Sequence, residues 1–205
     1  GKSLAVQYKK HGYRTRPVRL VLIGRRPLAE LDRDFFSEDN YCQADLSQRS
    51  SAETVRHWFI ERKIDTLSLL IHNAGAGYVG PLEEQPADSI DTLLTVNLLA
   101  PIAITHSLYS FLNHGTKVAF VSSVASSLPT PEYAIYSATK AAIDGLARNL
   151  RTEFSAPNAA KQIDVQLILP GATKTNMHRK SGADLAALKW ETFPAAESVA
   201  HQIRS

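Results

Sequence analysis

"LSLLIHNAG", residues 67–75, is the stretch whose reading decides the fold. Its first half is an almost unbroken apolar run rather than an alternation of apolar and polar residues. Strands covered on both faces read this way, and such strands belong to parallel sheets. The run then breaks into small and polar residues. Four more stretches share that form: "VRLVLIG" (18–24), "YCQAD" (41–45), "KVAFVSS" (117–123) and "IDVQLILPG" (163–171), of which only 41–45 is not strongly apolar. Helical patterns lie between them, at 2–11, 50–62, 88–113 and about 133–155. Strand and helix in alternation predict an α/β fold, a Rossmann-like doubly wound parallel sheet.

There is no internal repeat, no low-complexity tract and no linker, so residues 1–205 read as a single domain. "SAPNAAKQ" (155–162) is a helix-to-strand loop. Gly1 leads directly into a helix, and "ESVAHQIRS" (197–205) is a helix with nothing after it. A doubly wound domain places a strand at both positions, so the expectation is a domain incomplete at both ends, lacking the first strand and the C-terminal strand.

Composition excludes several classes. The chain is 44% hydrophobic and 21% charged, with a net charge of +3 and a pI near 9.0. Its basic residues are interspersed with acids, and no run is long enough to track a phosphate backbone, so no nucleic-acid partner is expected. The longest apolar stretches, "LSLLI" and "LVLI", are too short to span a bilayer, and no membrane partner is expected. "GKSLAVQYKKHG" lacks the continuous apolar core of a signal peptide. Cys42 has no second cysteine to pair with and reads as a small buried residue, which fits a reducing, cytoplasmic setting. The seven histidines show no paired ligand spacing, so no metal site is expected.

Open parallel sheets bind ligands beyond the carboxyl ends of their strands. Those ends carry Gly24-Arg25-Arg26, Asp45-Leu46, Asn73-Ala74-Gly75-Ala76-Gly77, Ser122-Ser123 and Pro170-Gly171-Ala172-Thr173-Lys174-Thr175. Each cluster is small, polar or glycine-bearing, as a bound nucleotide requires. One such cluster is a weak sign; five in register are a strong one.

With these residues in order, the sequence resembles the short-chain dehydrogenase/reductase family over nearly its whole length. The matching residues are "HNAG" (72–75), Asn97, Ser123, "YSATK" (136–140) and "PGATKT" (170–175), with 13 residues from Ser123 to Tyr136 and four from Tyr136 to Lys140. The resemblance implies hydride transfer between a nicotinamide and a small-molecule carbonyl or secondary alcohol. The residue chemistry suits that reaction. Reducing a ketone needs a proton on oxygen as well as a hydride on carbon. A free tyrosine, with a pKa of about 10, gives up its proton poorly near neutrality. A nearby positive charge favours the phenolate, and residues four apart on a helix share a face, so Lys140 can tune Tyr136.

By resemblance, Lys140 also holds the nicotinamide ribose, and Ser123 orients the substrate oxygen. Ser122 is its neighbour on the opposite strand face, and the spacing to Tyr136 favours Ser123. Asn97 completes the expected catalytic set. Pro101 has no N–H, which deprives the Asn97 carbonyl of its helical partner. In the family, the matching asparagine helps hold a water linking the lysine to solvent. The alternative for Asn97 is a satisfied core residue in a kinked packing helix.

The remaining clusters divide along the cofactor. "LIGRR" ends without an acid, and arginine's planar fork suits the 2′-phosphate, so NADP is favoured over NAD, with Arg25 as first candidate and Arg26 as second. The alternative is that both arginines are solvated loop charges. By resemblance, Asp45 bonds the adenine amino group and Leu46 lies beside the ring. Asn73, Ala74 and Gly75 follow the adenine ribose. Pro170, Gly171, Thr173 and Thr175 meet the nicotinamide, and Gly1 is the last glycine of a pyrophosphate loop. His72 stands where the family often has a second asparagine.

Residues 176–194 read as a lid or pocket wall, in which Met177, Leu185, Leu188, Trp190 and Phe193 either point to a partly apolar substrate or pack the lid onto the core. Helices 88–113 and 133–155 carry a second apolar face, for example Ala142, Leu146, Leu150 and Phe154, and the resemblance implies a homodimer or homotetramer. Two other readings stand beside the oxidoreductase. One is a catalytically inactive NADP-binding sensor or scaffold, against which the Ser123, Tyr136 and Lys140 set argues. The other is non-redox chemistry such as dehydration, which no motif favours.

Overall fold

In the computed structural model, residues 1–14, 16–184 and 189–204 are described. Each apolar run yields a strand, most of them shorter than the run: β1 is Leu22–Gly24, β2 Tyr41–Gln43, β3 Leu67–His72, β4 Leu112–Val121 and β5 Asp164–Ile168. The main helices are α1 (Lys2–His11), α2 (Ser51–Glu61), α3 (Ala87–Leu94), α4 (Ala100–Ser107), α5 (Ala134–Ser155), α6 (Asn176–Lys180) and α7 (Ala196–Arg204).

The single helix expected over 88–113 is broken. Between α3 and α4, Thr95–Leu99 form a π-helical turn. Pro101 is the local cause, since the α ladder cannot run through a residue without an N–H and the chain widens to pass it. Past α4, a turn at Tyr109–Phe111 leads into β4 at Leu112. Leu108, Phe111 and Leu112 are all buried, so apolar character continues across the helix-to-strand boundary and hides it. By length and composition alone the 21-residue run Ala87–Ser107, with a window of mean hydropathy 1.3, is apolar enough to cross a bilayer, unlike the shorter stretches noted above. Here it packs as a helix of the domain, with Leu93, Asn97, Ala100 and Ile104 buried.

All strand pairs are parallel, but they form two sheets: β1 with β2, and β3–β4–β5 in that order. A cavity of about 750 Å³ separates β1 from β3, lined by residues 17–26 on one side and 66–74 on the other. Both faces of β3 are covered, as its unbroken apolar run required. Leu70 joins the main core with Val55, Phe59, Ile104, Phe120 and Ile143, whereas Leu69 and Ile71 face the cluster built by Leu4 and Tyr8 of α1 and Ala200 of α7. Burying about ten such side chains at roughly 1.5–3 kcal/mol each is what holds the layers together. Gly12 ends α1 at φ 70°, where an added Cβ would sit 2.1 Å from the Arg16 carbonyl oxygen, so the turn admits only glycine.

Candidate active site

The carboxyl ends of β3, β4 and β5 open onto a cavity of about 540 Å³. Gly1, Asn73, Ala74, Gly75, Ser123, Tyr136, Lys140, Pro170, Gly171, Thr173 and Thr175 all line it. Eleven expected site residues, drawn from five separate stretches, therefore meet in one place. Arg25, Arg26 and Leu46 line the cavity between the sheets, which shares Gly1, Asn73 and Ala74 with the first, so the two join there. Both arginines are exposed at the end of β1. Asp45, at the end of β2, accepts hydrogen bonds from the Ser47 N–H (3.0 Å) and hydroxyl (2.8 Å). These bonds, and after them the charge of Arg25, hold its carboxyl below the usual range.

Tyr136 and Lys140 stand on the buried face of α5, 6% and 5% exposed. The Ser123 hydroxyl accepts from the Ala125 N–H at 3.2 Å and shares the cavity with the Tyr136 phenol. Lys140 Nζ donates to the Val121 carbonyl at 3.0 Å and lies 5.7 Å from the centroid of the Tyr136 ring. The expected lowering of the phenol pKa is not what this geometry gives. Burial pushes Tyr136 above its ordinary value, Ser123 opposes that, and the Tyr133 phenol adds to it. Burial also brings Lys140 down to about 8, against the charge of Asp144. The reason is desolvation: the ammonium is tied to a backbone carbonyl, and both groups have left water.

Asn97 is 2% exposed, and its side chain is fully engaged. Oδ1 accepts from the Ala76 N–H at 2.8 Å, while Nδ2 donates to the Ala76 carbonyl at 3.0 Å and to Thr139 Oγ1 at 3.1 Å. It clamps the loop after β3 onto α5. Ser122, the neighbour of Ser123, turns away and donates to the Lys140 carbonyl at 3.2 Å. His72 stacks on Phe120 (4.9 Å) and pairs with Thr105 Oγ1 at 2.8 Å, and burial pushes its pKa down to about 4.

Met177, His178 and Phe193 of the expected lid line the cavity. His178 is wedged against Trp190 and Phe193, each 5.7 Å away between ring centroids. Leu185 and Leu188 lie outside the described residues. Leu146, Leu150 and Phe154 turn partly into the core rather than forming a free second face, and Ala142 is exposed. Sequence reasoning missed Thr139, Tyr133, His178 and Asp144. Thr139 and Asp144 were open to detection, because Asn97 needs a partner and an acid four residues past Lys140 shares its helix face. Among the described residues, no group of three or more potential metal ligands occurs.

The glycine-edged backbone from Asn73 to Gly75, the open joint between the cavities and two arginines at its far end fit a dinucleotide. Comparison with known proteins bears on the fold and the family. The chain is 27% identical over 183 residues to the hydroxynaphthalene reductase of Aspergillus fumigatus, covering 88% of this chain and 61% of that protein. It therefore spans about three-fifths of that relative's length. Among solved structures, a short-chain dehydrogenase from Sphingobium yanoikuyae in complex with NADPH superposes with a TM-score of 0.76 at 24% identity, covering 98% of this chain and 77% of that one. The 3-ketoacyl-(acyl-carrier-protein) reductase from Brucella melitensis complexed with NADH gives 0.79 at 18% identity, covering 99% and 84%. A family model described as short chain dehydrogenase matches residues 1–186. On its residues, its fold and that match, the chain belongs to the short-chain dehydrogenase family.

Proposed function

We propose that this chain forms the nicotinamide-binding and proton-donating part of an NADP-dependent oxidoreductase that acts on a carbonyl or secondary alcohol. The observation that carries this reading is the meeting of Ser123, Tyr136 and Lys140 in one cavity at the carboxyl ends of the strands. NADPH, when bound, supplies the hydride. Asn73 to Gly75, Pro170, Gly171, Thr173, Thr175 and Lys140 would hold it, with Asp45 and Leu46 at the adenine and Gly1 by the pyrophosphate.

In this reading the Ser123 hydroxyl orients the substrate oxygen beside Tyr136, and orientation of this kind lowers the barrier without new bonds. Tyr136 gives its phenolic proton to that oxygen as negative charge develops on it. The Lys140 ammonium, protonated below about pH 8, favours the phenolate left behind. Asn97 contributes its carbonyl, freed by Pro101, as a water anchor for reprotonation, while its side chain fixes the loop at Ala76. Arg25, and then Arg26, would take the 2′-phosphate. The relatives' cofactors leave that preference to the arginines, since the Sphingobium protein is in complex with NADPH and the Brucella protein with NADH. A cytoplasmic homo-oligomer belongs to the same proposal, and the exposure of Leu94, Leu99 and Ile102 at 38–40% along the α3–α4 helix supports it.

The test is to assay the whole protein carrying this chain against ketones, aldehydes and alcohols with NADPH and with NADH. Tyr136→Phe is expected to abolish turnover while NADPH binding persists. A wild-type protein that binds NADPH and turns over nothing across the panel would replace this reading with that of a sensor.

A further inference from the structure

We propose that Tyr133 is a specificity-determining residue of the candidate site, its ring forming one wall of a slot, with Met177, His178 and Phe193 as a second wall, that selects flat, uncharged aromatic carbonyl substrates over aliphatic ones. This rests on the oxidoreductase reading above. All four residues line the cavity that holds Ser123 and Tyr136. The rings of Tyr133 and Tyr136 stand edge to face, with centroids 6.0 Å apart and planes at 71°. Tyr133 therefore lies beside the phenol that, in that reading, meets the substrate oxygen. A further ring placed against it gains attraction beyond the area it buries.

One loop fixes both walls. The Gly80 N–H donates to the carbonyl of Glu132, the residue before Tyr133, at 3.0 Å. The preceding N–H, that of Val79, donates at 2.7 Å to the carbonyl of Ser181, the residue after α6, and α6 carries Met177 and His178. Adjacent residues of the loop past β3 thus hold the two walls in a set relation. Gly77 of the same loop backs Met177, since a Cβ added there would sit 3.4 Å from the Met177 Cγ. Glu132 has a φ of 64°, a left-handed backbone that a non-glycine residue keeps only where its surroundings impose it. That outlier stands where the chain delivers Tyr133 to the cavity.

The second wall is aromatic and neutral. His178 is 8% exposed, its Nδ1 has no hydrogen-bond partner, and its ring packs on Phe193 with centroids 5.7 Å apart. Burial holds its pKa below the ordinary value, so the imidazole is uncharged at neutral pH. Among the described residues lining the cavity there is no carboxylate, and Lys140 is the only lysine or arginine. Its ammonium is tied to the Val121 carbonyl. The walls themselves carry no charge, and rings on both of them suit a flat, uncharged body.

The test uses the whole protein carrying this chain, NADPH and two methyl ketones of near-equal size, acetophenone and cyclohexyl methyl ketone, the first flat and aromatic and the second neither. Tyr133→Leu keeps an apolar side chain and removes the ring. In it the kcat/KM ratio of acetophenone to its cyclohexyl counterpart is expected to fall about tenfold, the upper end of what one aromatic pair contributes. Tyr133→Phe is expected to restore the ratio. An unmoved ratio in Tyr133→Leu overturns the proposal even where both rates fall, because a ring that only props Tyr136 slows the two ketones alike. Should Tyr133→Leu not fold, Phe193→Leu reads the second wall, and an unmoved ratio there overturns the proposal equally. If the wild-type protein reduces neither ketone, the oxidoreductase reading fails, while equilibrium dialysis of the same pair against NADPH-loaded protein still decides this one. Acetophenone bound as tightly by Tyr133→Leu as by the wild-type protein then overturns it.

Discussion

Asn97→Ala measures how firmly the loop after β3 is held. The substitution deletes three hydrogen bonds at once, two to the Ala76 backbone and one to Thr139. At about 1 kcal/mol net for each bond, the loss is about 3 kcal/mol. The Ala76 groups are half-buried and regain some water, whereas the vacated volume adds a cavity cost, and the two corrections oppose each other. Thr139 keeps its bond to the Tyr136 carbonyl at 2.7 Å, so α5 itself does not come apart. For a chain of this size about 3 kcal/mol corresponds to a fall in Tm of roughly 6–12 °C. Urea unfolding followed by the fluorescence of Trp58 and Trp190 gives the free energy, and calorimetry gives Tm. A loss below about 1 kcal/mol at an unchanged denaturant slope would refute the clamp, because it would show the loop standing without it.

Arg25→Ala is expected to weaken NADPH at least tenfold and NADH little, as isothermal titration would show; equal weakening of both would remove Arg25 from the phosphate. Ser123→Ala should lower kcat/KM for a carbonyl substrate by about 10²-fold, about 2.7 kcal/mol of transition-state orientation, with NADPH affinity nearly unchanged. His72 titrates at about 4 when folded and near 6.5 when unfolded, so the unfolded chain binds more protons between those values. Stability should therefore be full above about pH 6.5 and decline toward pH 4, and His72→Asn should flatten that part of the profile in urea midpoints measured against pH.

Much of this was legible in the sequence, for identifiable reasons. β3 declared itself because a strand covered on both faces tolerates few polar residues. The small-residue clusters marked the carboxyl ends because a backbone that must approach a ligand closely cannot carry large side chains. Tyr136 and Lys140 stood out only through the order and spacing of the whole set, from "HNAG" and Ser123 to "PGATKT", because a tyrosine and a lysine four apart occur in many helices. Helix 88–113 misled because Leu108, Phe111 and Leu112 are buried whatever the local geometry, and a one-dimensional pattern does not show where the backbone changes hand-holds. The acidity of Tyr136 misled because proximity along the chain reports a charge's nearness and not the water both groups have lost. Asp144 went unread because an acid amid apolar helix residues resembles a solvated one until the packing is known.

The side chain of Asn97 joins two parts of the site that the chain order keeps far apart. One amide holds both the backbone just past β3 and the hydroxyl of Thr139, the residue before Lys140. A displacement of α5 against the three-stranded sheet must therefore pull on Ala76, and a pull on Ala76 is passed to the turn of α5 that carries the lysine.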